Sequence, residues 1–283
     1  MTASEELASF ITSTEYSALP GEVVEKAKLC ILDALGAAIA GRITRSGGIV
    51  SSFVEEVWGG DEATLLIGGS ASATGAALAN GYLINALDID DGGKYTRGHP
   101  GAQIIPVNLA LGEKYGKSGS EVISAVVVGY EAAHRVGGCW HEEFEEYRSC
   151  GSWGSVASAA AAANLIDLGK EETINALAVA DYNSPYLPME RAINQPSMVK
   201  HGTGWGAMTG LVSAELGRRG FTGPSSVTFN GPDCGHWFND LGNRFIMAEE
   251  NGVEFKEIPS CSWGHPPIKA AMELVDRHEV EVD

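Results

Sequence analysis

A chain of 283 residues with 37 acidic and 19 basic side chains carries a formal net charge of −18. That field repels nucleic acid and anionic membrane surfaces, and an anionic substrate would need a locally positive pocket. The hydrophobic content of 44% and charged content of 20% are those of a globular protein with one large core or two ordinary ones.

The five cysteines, Cys30, Cys139, Cys150, Cys234 and Cys261, are scattered, odd in number and free of any CxxC pair. They read as free thiols in a reducing compartment. The N-terminus MTASEELASF is acidic where a signal peptide is basic, and no apolar run approaches the roughly 18 residues of a membrane span. The expectation is a cytoplasmic protein with no membrane and no nucleic-acid partner.

In chain order, residues 3–13 read as a short helix. Pro20 and Gly41 bracket a second helix, whose apolar face is drawn from Val24, Ala27, Leu29, Ile31, Leu32, Leu35 and Ile39. A third helix is expected over 47–58 and a short β-like run over 63–67, with residues 70–74 capping the next helix. That helix is expected to carry Ile84, Leu87, Asp88 and Asp91 on one face, and Gly92-Gly93 to stop it. Residues 103–115 read as a helix. Ser118 and Glu121 form a capping box ahead of another over 122–136, ended by Gly137-Gly138, with an acidic aromatic loop over 139–150. The alanine-rich run 153–169 predicts a helix with very close packing, and helices follow at 171–180 and 203–219 around an irregular, proline-bearing stretch over 183–199. From Phe221 the sequence is turn-rich, and residues 255–259 predict a strand. The first 220 residues lack the strand–helix alternation of a parallel sheet. The fold expectation is mainly α, with a boundary near residue 250.

Four groups of residues can carry chemistry. Asp88, Asp90, Asp91 and His99 read as an acid/base or substrate-orienting cluster, with a divalent ion as the alternative and a solvated helix end as the plain reading. The calcium-loop pattern fails because Gly92 stands at its fifth position and His99 at its twelfth. Lys200-His201-Gly202-Thr203-Gly204 precedes a helix and reads as an anion site or a simple cap. Residues 255–266 bring Lys256, Cys261 and His265 among rigid turns, with no cationic neighbour that would activate Cys261. Arg148 can clamp a carboxylate or pair with the glutamates of 142–146. The P-loop is absent and GxSxG is broken at Gly151.

Together these segments resemble the MmgE/PrpD family, whose members include 2-methylcitrate dehydratase, cis-aconitate decarboxylase and iminodisuccinate epimerase. The resemblance is carried by ILDALGAAIAG (31–41), NGYLINALDIDD (80–91), GHPGAQIIPVNLALGE (98–113), GSWGSVASAAAAANLIDLG (151–169), SMVKHGTGWGAMTGL (197–211) and KEIPSCSWGHPPI (256–268). It implies a large all-helical domain over 1–250 and the beginning of a smaller α+β lid over 251–283, which stops well short of the family's length. It also implies homodimers working without metal or organic cofactor, with the site between domains. Asp88, His99 and Lys200 match catalytic positions. Lys256, Arg148 and His201 are the expected substrate-binding residues. Arg148 stands where the family's F-H-x-T-G segment has histidine, and Ser262 where PxCRxxHP has arginine. The implied activity is a cofactor-independent lyase, dehydratase or decarboxylase, on a small di- or tricarboxylic acid. An epimerase or isomerase on the same fold and a non-catalytic paralogue are the alternatives.

Overall fold

The computed structural model describes residues 2–231 and 233–278. Eleven α-helices and four two-residue strands are found among these residues. Helices α1 (Ala3–Ser13), α2 (Gly21–Gly41) and α3 (Arg45–Val57) lead to the hairpin β1 (Ala63–Thr64) and β2 (Ser70–Ala71). Helix α4 (Ala73–Asn85) precedes strand β3 (Gly92–Gly93), and α5 (Gly101–Tyr115), α6 (Gly119–Glu143), α7 (Cys150–Leu165) and α8 (Lys170–Asn183) build the bundle. Short α9 (Met189–Asn194), long α10 (Thr203–Gly217), strand β4 (Val253–Glu254) and α11 (His265–His278) complete the chain. No helix among the described residues is long and apolar enough to cross a membrane.

Local chemistry sets the helix starts. Thr2 with Glu5 and Ser118 with Glu121 form reciprocal capping boxes on α1 and α6, each satisfying two otherwise orphaned groups. Ser72 and Thr44 accept from the third backbone N–H of α4 and α3. Helix α7 is the centre of the molecule: nearly all of its residues are buried, and it packs against α6, α10, α5 and α8. Its Gly/Ala/Ser composition lets the neighbouring backbones close in. Gly210 of α10 shows how far: a Cβ there would meet the backbone oxygen of Ser155 at 2.6 Å and the Ala159 nitrogen at 2.7 Å.

Five expectations are corrected. Helix α4 ends at Asn85, so Leu87, Asp88 and Asp91 do not share its face; they lie in the loop that follows. Helix α6 runs through Gly137-Gly138 to Glu143. Those glycines are places of close approach, Gly137 under Thr96 and Gly138 under the Trp237 ring, and α6 absorbs the first part of the expected loop. The large apolar side chains of α2 face outward: Leu29, Leu32 and Ile39 are exposed, whereas Val23, Ala27, Cys30, Ala34 and Ala38 form the core face. The expected strand at 255–259 is found earlier, as β4, paired antiparallel with β3 in the register Gly92–Glu254 and Gly93–Val253. Cys139 and Cys234 form a disulfide with a Cα separation of 5.3 Å. It ties α6 to the turn-rich segment, and the inference of five free thiols, with the reducing compartment drawn from it, loses its footing.

The close α7–α10 packing makes a direct prediction. Gly210→Ala should lower stability by about 1–3 kcal/mol, because backbone must shift to admit one methyl group. Gly119→Ala, at the exposed first position of α6 with nothing within 4 Å of the added Cβ, should raise it by up to about 1 kcal/mol. Thermal melts of the two variants check this. Equal melting temperatures would show that the close approach is not part of the packing.

Candidate active site

Four loops converge beside the C-terminal end of α4. The loop after α4 supplies Asp88, Asp90 and Asp91; the turn before α5 supplies His99; the turn before α10 supplies Lys200 and His201; and the segment after β4 supplies Lys256. The β3–β4 ladder brings the last of these into place, since Lys256 follows β4 by two residues and β3 follows Asp91 directly.

Asp88 is the meeting point. Lys256 Nζ lies 2.6 Å from its Oδ1 and 2.9 Å from its backbone oxygen. His99 Nε2 lies 3.3 Å from Oδ1, and His201 Nε2 lies 3.7 Å from Oδ2. Burial alone would raise the pKa of Asp88. The two imidazoles and the ammonium outweigh it and hold the carboxyl well below the usual carboxylate range. The backbone conforms to this arrangement, because Asp88 adopts φ 57° and Lys200 φ 48°. Left-handed conformations are uncommon for such residues and are found where the surroundings impose them.

His99 is buried and meets carboxylates on both sides. Its Nδ1 lies 3.2 Å from Asp90 Oδ2 and 3.1 Å from the Asp91 carbonyl oxygen. Both ring nitrogens therefore face acceptor oxygens, a setting that favours the protonated ring. Burial opposes that charge. The carboxylates of Asp90 and Asp88 override it and raise the pKa of His99. The buried Asp90 is itself held by Asn85, whose Nδ2 donates to Oδ1 at 3.0 Å and Oδ2 at 3.2 Å.

Asp91 has a separate task. Its Oδ1 accepts from Gly101 N at 3.0 Å and its Oδ2 from the Tyr130 hydroxyl at 2.6 Å, fixing the start of α5. Its own N–H donates to Asp33 Oδ2 at 3.0 Å. Burial and the neighbouring Asp90 and Asp33 push its carboxyl up to about 7, against the Tyr130 hydrogen bond. Burial and Asp90 likewise push Asp33 up to about 6. This side of the cluster carries more carboxylates than cations, and the mutual repulsion adds to burial in raising both.

The two lysines differ from the sequence expectation in what they touch. Lys200 does not crown the N-terminus of α10. Its ammonium donates to the carbonyls of Asn85 at 2.8 Å and Ala86 at 3.1 Å, capping the negative end of α4. Burial lowers its pKa. An ammonium has three donors. Among the described residues Lys200 and Lys256 each use two in these contacts, with one donor on each left over. Arg148 stands apart from the carboxylate cluster. Its guanidinium is stacked 3.4 Å from the Trp140 ring centre and 4.2 Å from that of Tyr186, with Nε buried and unpartnered. Its pKa falls to about 10 through burial, so it stays charged near neutrality.

Some residues escaped the sequence reading. Cys150, the first residue of α7, brings its thiol within reach of the His99 and His201 rings. Asn85 and Tyr130 gave no signal because neither belongs to a chemical motif; only their contacts mark them. His265 proves structural, its Nε2 lying 3.1 Å from the Ile258 carbonyl oxygen and 3.2 Å from that of Ser260. Cys261 is exposed. The donor triplets Asp88/Asp90/His99 and His99/Cys150/His201 each have ligand atoms within 4.8 Å of one another. The Lys256 ammonium already neutralises Asp88, however, and a divalent ion beside it would meet like charge. Chemically, the arrangement offers a proton donor, a fixed carboxylate and two ammonium groups with donors to spare, which suits an anionic substrate.

Known proteins are similar to this chain in sequence. The profile of the MmgE/PrpD N-terminal domain matches residues 5–238. A cis-aconitate decarboxylase-like protein, oryM, of Aspergillus oryzae is 26% identical over 78% of this chain and 48% of its own length. The cis-aconitate decarboxylase of Homo sapiens is 26% identical over 90% of this chain and 56% of its own. That of Aspergillus terreus is 27% identical over 74% and 44%. The chain thus spans about half the length of the curated relatives it matches. With the matched profile covering most of the helical bundle, including Asp88, His99 and Lys200, the chain belongs to the MmgE/PrpD family.

Proposed function

We propose that this chain carries the acid and cationic groups of a cofactor-independent carboxy-lyase acting on a small unsaturated tricarboxylic acid of the cis-aconitate type. The observation that carries the reading is His99, whose two ring nitrogens face carboxylates on opposite sides, with two ammonium groups at the same cluster. Relatives named as cis-aconitate decarboxylases support the same reaction class. Decarboxylation of such an acid needs an acid and cations more than it needs a base. The bond to the leaving carboxylate breaks, CO₂ departs, and the electron pair passes into the remaining unsaturated carboxylate. The spare donors of Lys200 and Lys256 hold that charge as it develops. His99 delivers the proton to carbon from Nε2, the nitrogen on the more open side, where Asp88 is partly exposed and Asp90 is not. Asp88, facing Nε2, shares its proton. His201 lies 4.8 Å from His99 between ring centres and serves as a substrate contact, with Arg148 a specificity residue further out.

A dehydratase would need a free base to take a proton from carbon, and an epimerase would need two such groups on opposite faces. With acceptor oxygens at both of its nitrogens, His99 is better placed as an acid than as a free base. The domain reading is retained as part of this proposal: the helical unit ends near residue 250, and Lys256 is the first contribution of the segment beyond it. We also propose a homodimer. Leu29, Leu32, Ile39 and Ile43 of the α2 region lie exposed at helical spacing, as do Ile49, Phe53 and Val57 of α3, and exposed apolar faces are of the kind that marks association surfaces.

Turnover is tested by incubating the chain with cis-aconitate in D₂O and following CO₂ release and deuterium at carbon. The expected result is CO₂ loss with one deuteron gained, slowed about 100-fold or more in His99→Gln with the melting curve kept. Water elimination from a hydroxy acid, or deuterium exchange without loss of CO₂, would instead favour the dehydratase or the epimerase. For assembly, light scattering should give twice the chain mass, falling to one mass in Leu32→Asp; a wild-type monomer would contradict the dimer.

A further inference from the structure

We propose that Asp90, clamped by Asn85, is a positioning residue that holds His99 in its donor state and aims Nε2 at the accessible side of the site; this rests on the acid role given to His99 above. Asp90 is fully buried and contacts no open space. A buried carboxylate is costly unless its partners are fixed. Here they are: Asn85 donates to both of its oxygens, and Oδ2 also faces His99 Nδ1 at 3.2 Å. The same ring nitrogen faces the Asp91 carbonyl oxygen at 3.1 Å. With two acceptors converging on it, Nδ1 must carry a hydrogen, and the ring cannot rotate without losing both.

Asp91 cannot do this work. Its carboxylate oxygens accept from Gly101 and Tyr130, and it reaches His99 only through its backbone. Asp88 cannot do it either, because it faces the opposite nitrogen and is shared with Lys256 and His201. The groups facing His99 are therefore Asp90 and the Asp91 carbonyl at Nδ1, Asp88 at Nε2, with His201, Cys150 and Lys256 around it. Of these, Asp90 alone is a fully buried anion with no other cationic contact among the described residues. Loss of its charge removes the nearest support for the imidazolium without opening the site, and the helix end that carries Asn85 makes the pair rigid. The arrangement is that of a carboxylate orienting a catalytic imidazole, built here from one turn and the helix end before it.

The test uses two variants and a readout that needs no turnover. In Asp90→Asn, the shape and a hydrogen-bonding oxygen remain while the charge is lost. The His99 ring titration, followed by NMR in the substrate-free chain, should move down by about one unit or more. The expected kinetic result is kcat lower by roughly 100-fold with KM within about threefold. The alkaline limb of the kcat profile should move to lower pH, since protonated His99 is the acid. Asp91→Asn should leave the His99 titration in place. If Asp90→Asn does not fold, Asn85→Ala serves instead, with a kcat loss of about tenfold at unchanged KM. A His99 titration unmoved by Asp90→Asn, or an unchanged kcat in Asn85→Ala, would overturn the proposal. If the titration shifts in a chain that releases no CO₂, the positioning role stands and the lyase reading falls.

Discussion

One carboxylate holds four chain segments together. Asp88 receives the Lys256 ammonium and both imidazoles, and without it three cationic or proton-bearing groups would face one another at close range. A partly buried charge of this kind is stable only when its partners are fixed in number and direction. Much of the surrounding architecture is devoted to fixing them. The left-handed backbone at Asp88 and Lys200 is the local cost, of order 1–3 kcal/mol at each position. The partners converge from the loop after α4, the turns before α5 and α10, and the chain beyond β4.

The helical bundle supplies the rigid frame from which those loops project, the usual division between scaffold and chemistry. Helix α7, built of small residues, lets α6 and α10 approach closely, and α10 in turn delivers His201 and Lys200 to the end of α4. Lys200 then caps that end through the Asn85 and Ala86 carbonyls. The same residue thus closes a helix and adds its charge to the cluster at Asp88 and Asp90. The two-residue ladder of β3 with β4 is small, yet it positions Lys256. The carboxylate side of the cluster is excess negative charge in a protein already strongly acidic. The raised pKa values of Asp91 and His99 are its local consequence.

Much of this was readable in advance, and the exceptions have physical causes. Helix starts were legible because capping is local: Ser118 with Glu121 predicts the start of α6 without any tertiary knowledge. Helix ends were less so. Gly137 and Gly138 look like a stop, but they are glycine because Thr96 and Trp237 press on them. Apolar periodicity on α2 did not distinguish core from surface, since the core face is made of alanines and the larger side chains point outward. The individual residues Asp88, His99, Lys200 and Lys256 were legible through resemblance to a family. Their pairing was not, because it depends on a strand register and two left-handed residues. Asp90 was read as one of the cluster carboxylates, but its clamp by Asn85 gave no signal, and the Cys139–Cys234 bond spans 95 positions; only the fold brings such partners together.

The convergence on Asp88 is most directly tested by a double-mutant cycle with Lys256. Asp88→Asn suits the left-handed backbone, which asparagine tolerates, and Lys256→Met keeps the length of the stem while removing the charge. Unfolding free energies of the wild type, both single variants and the double variant give the coupling. The account predicts a coupling of about 1–3 kcal/mol, with the double variant less destabilised than the sum of the two single ones. Additivity within about 0.5 kcal/mol would show that the two charges do not depend on each other, and would contradict Asp88 as the organising carboxylate of the site.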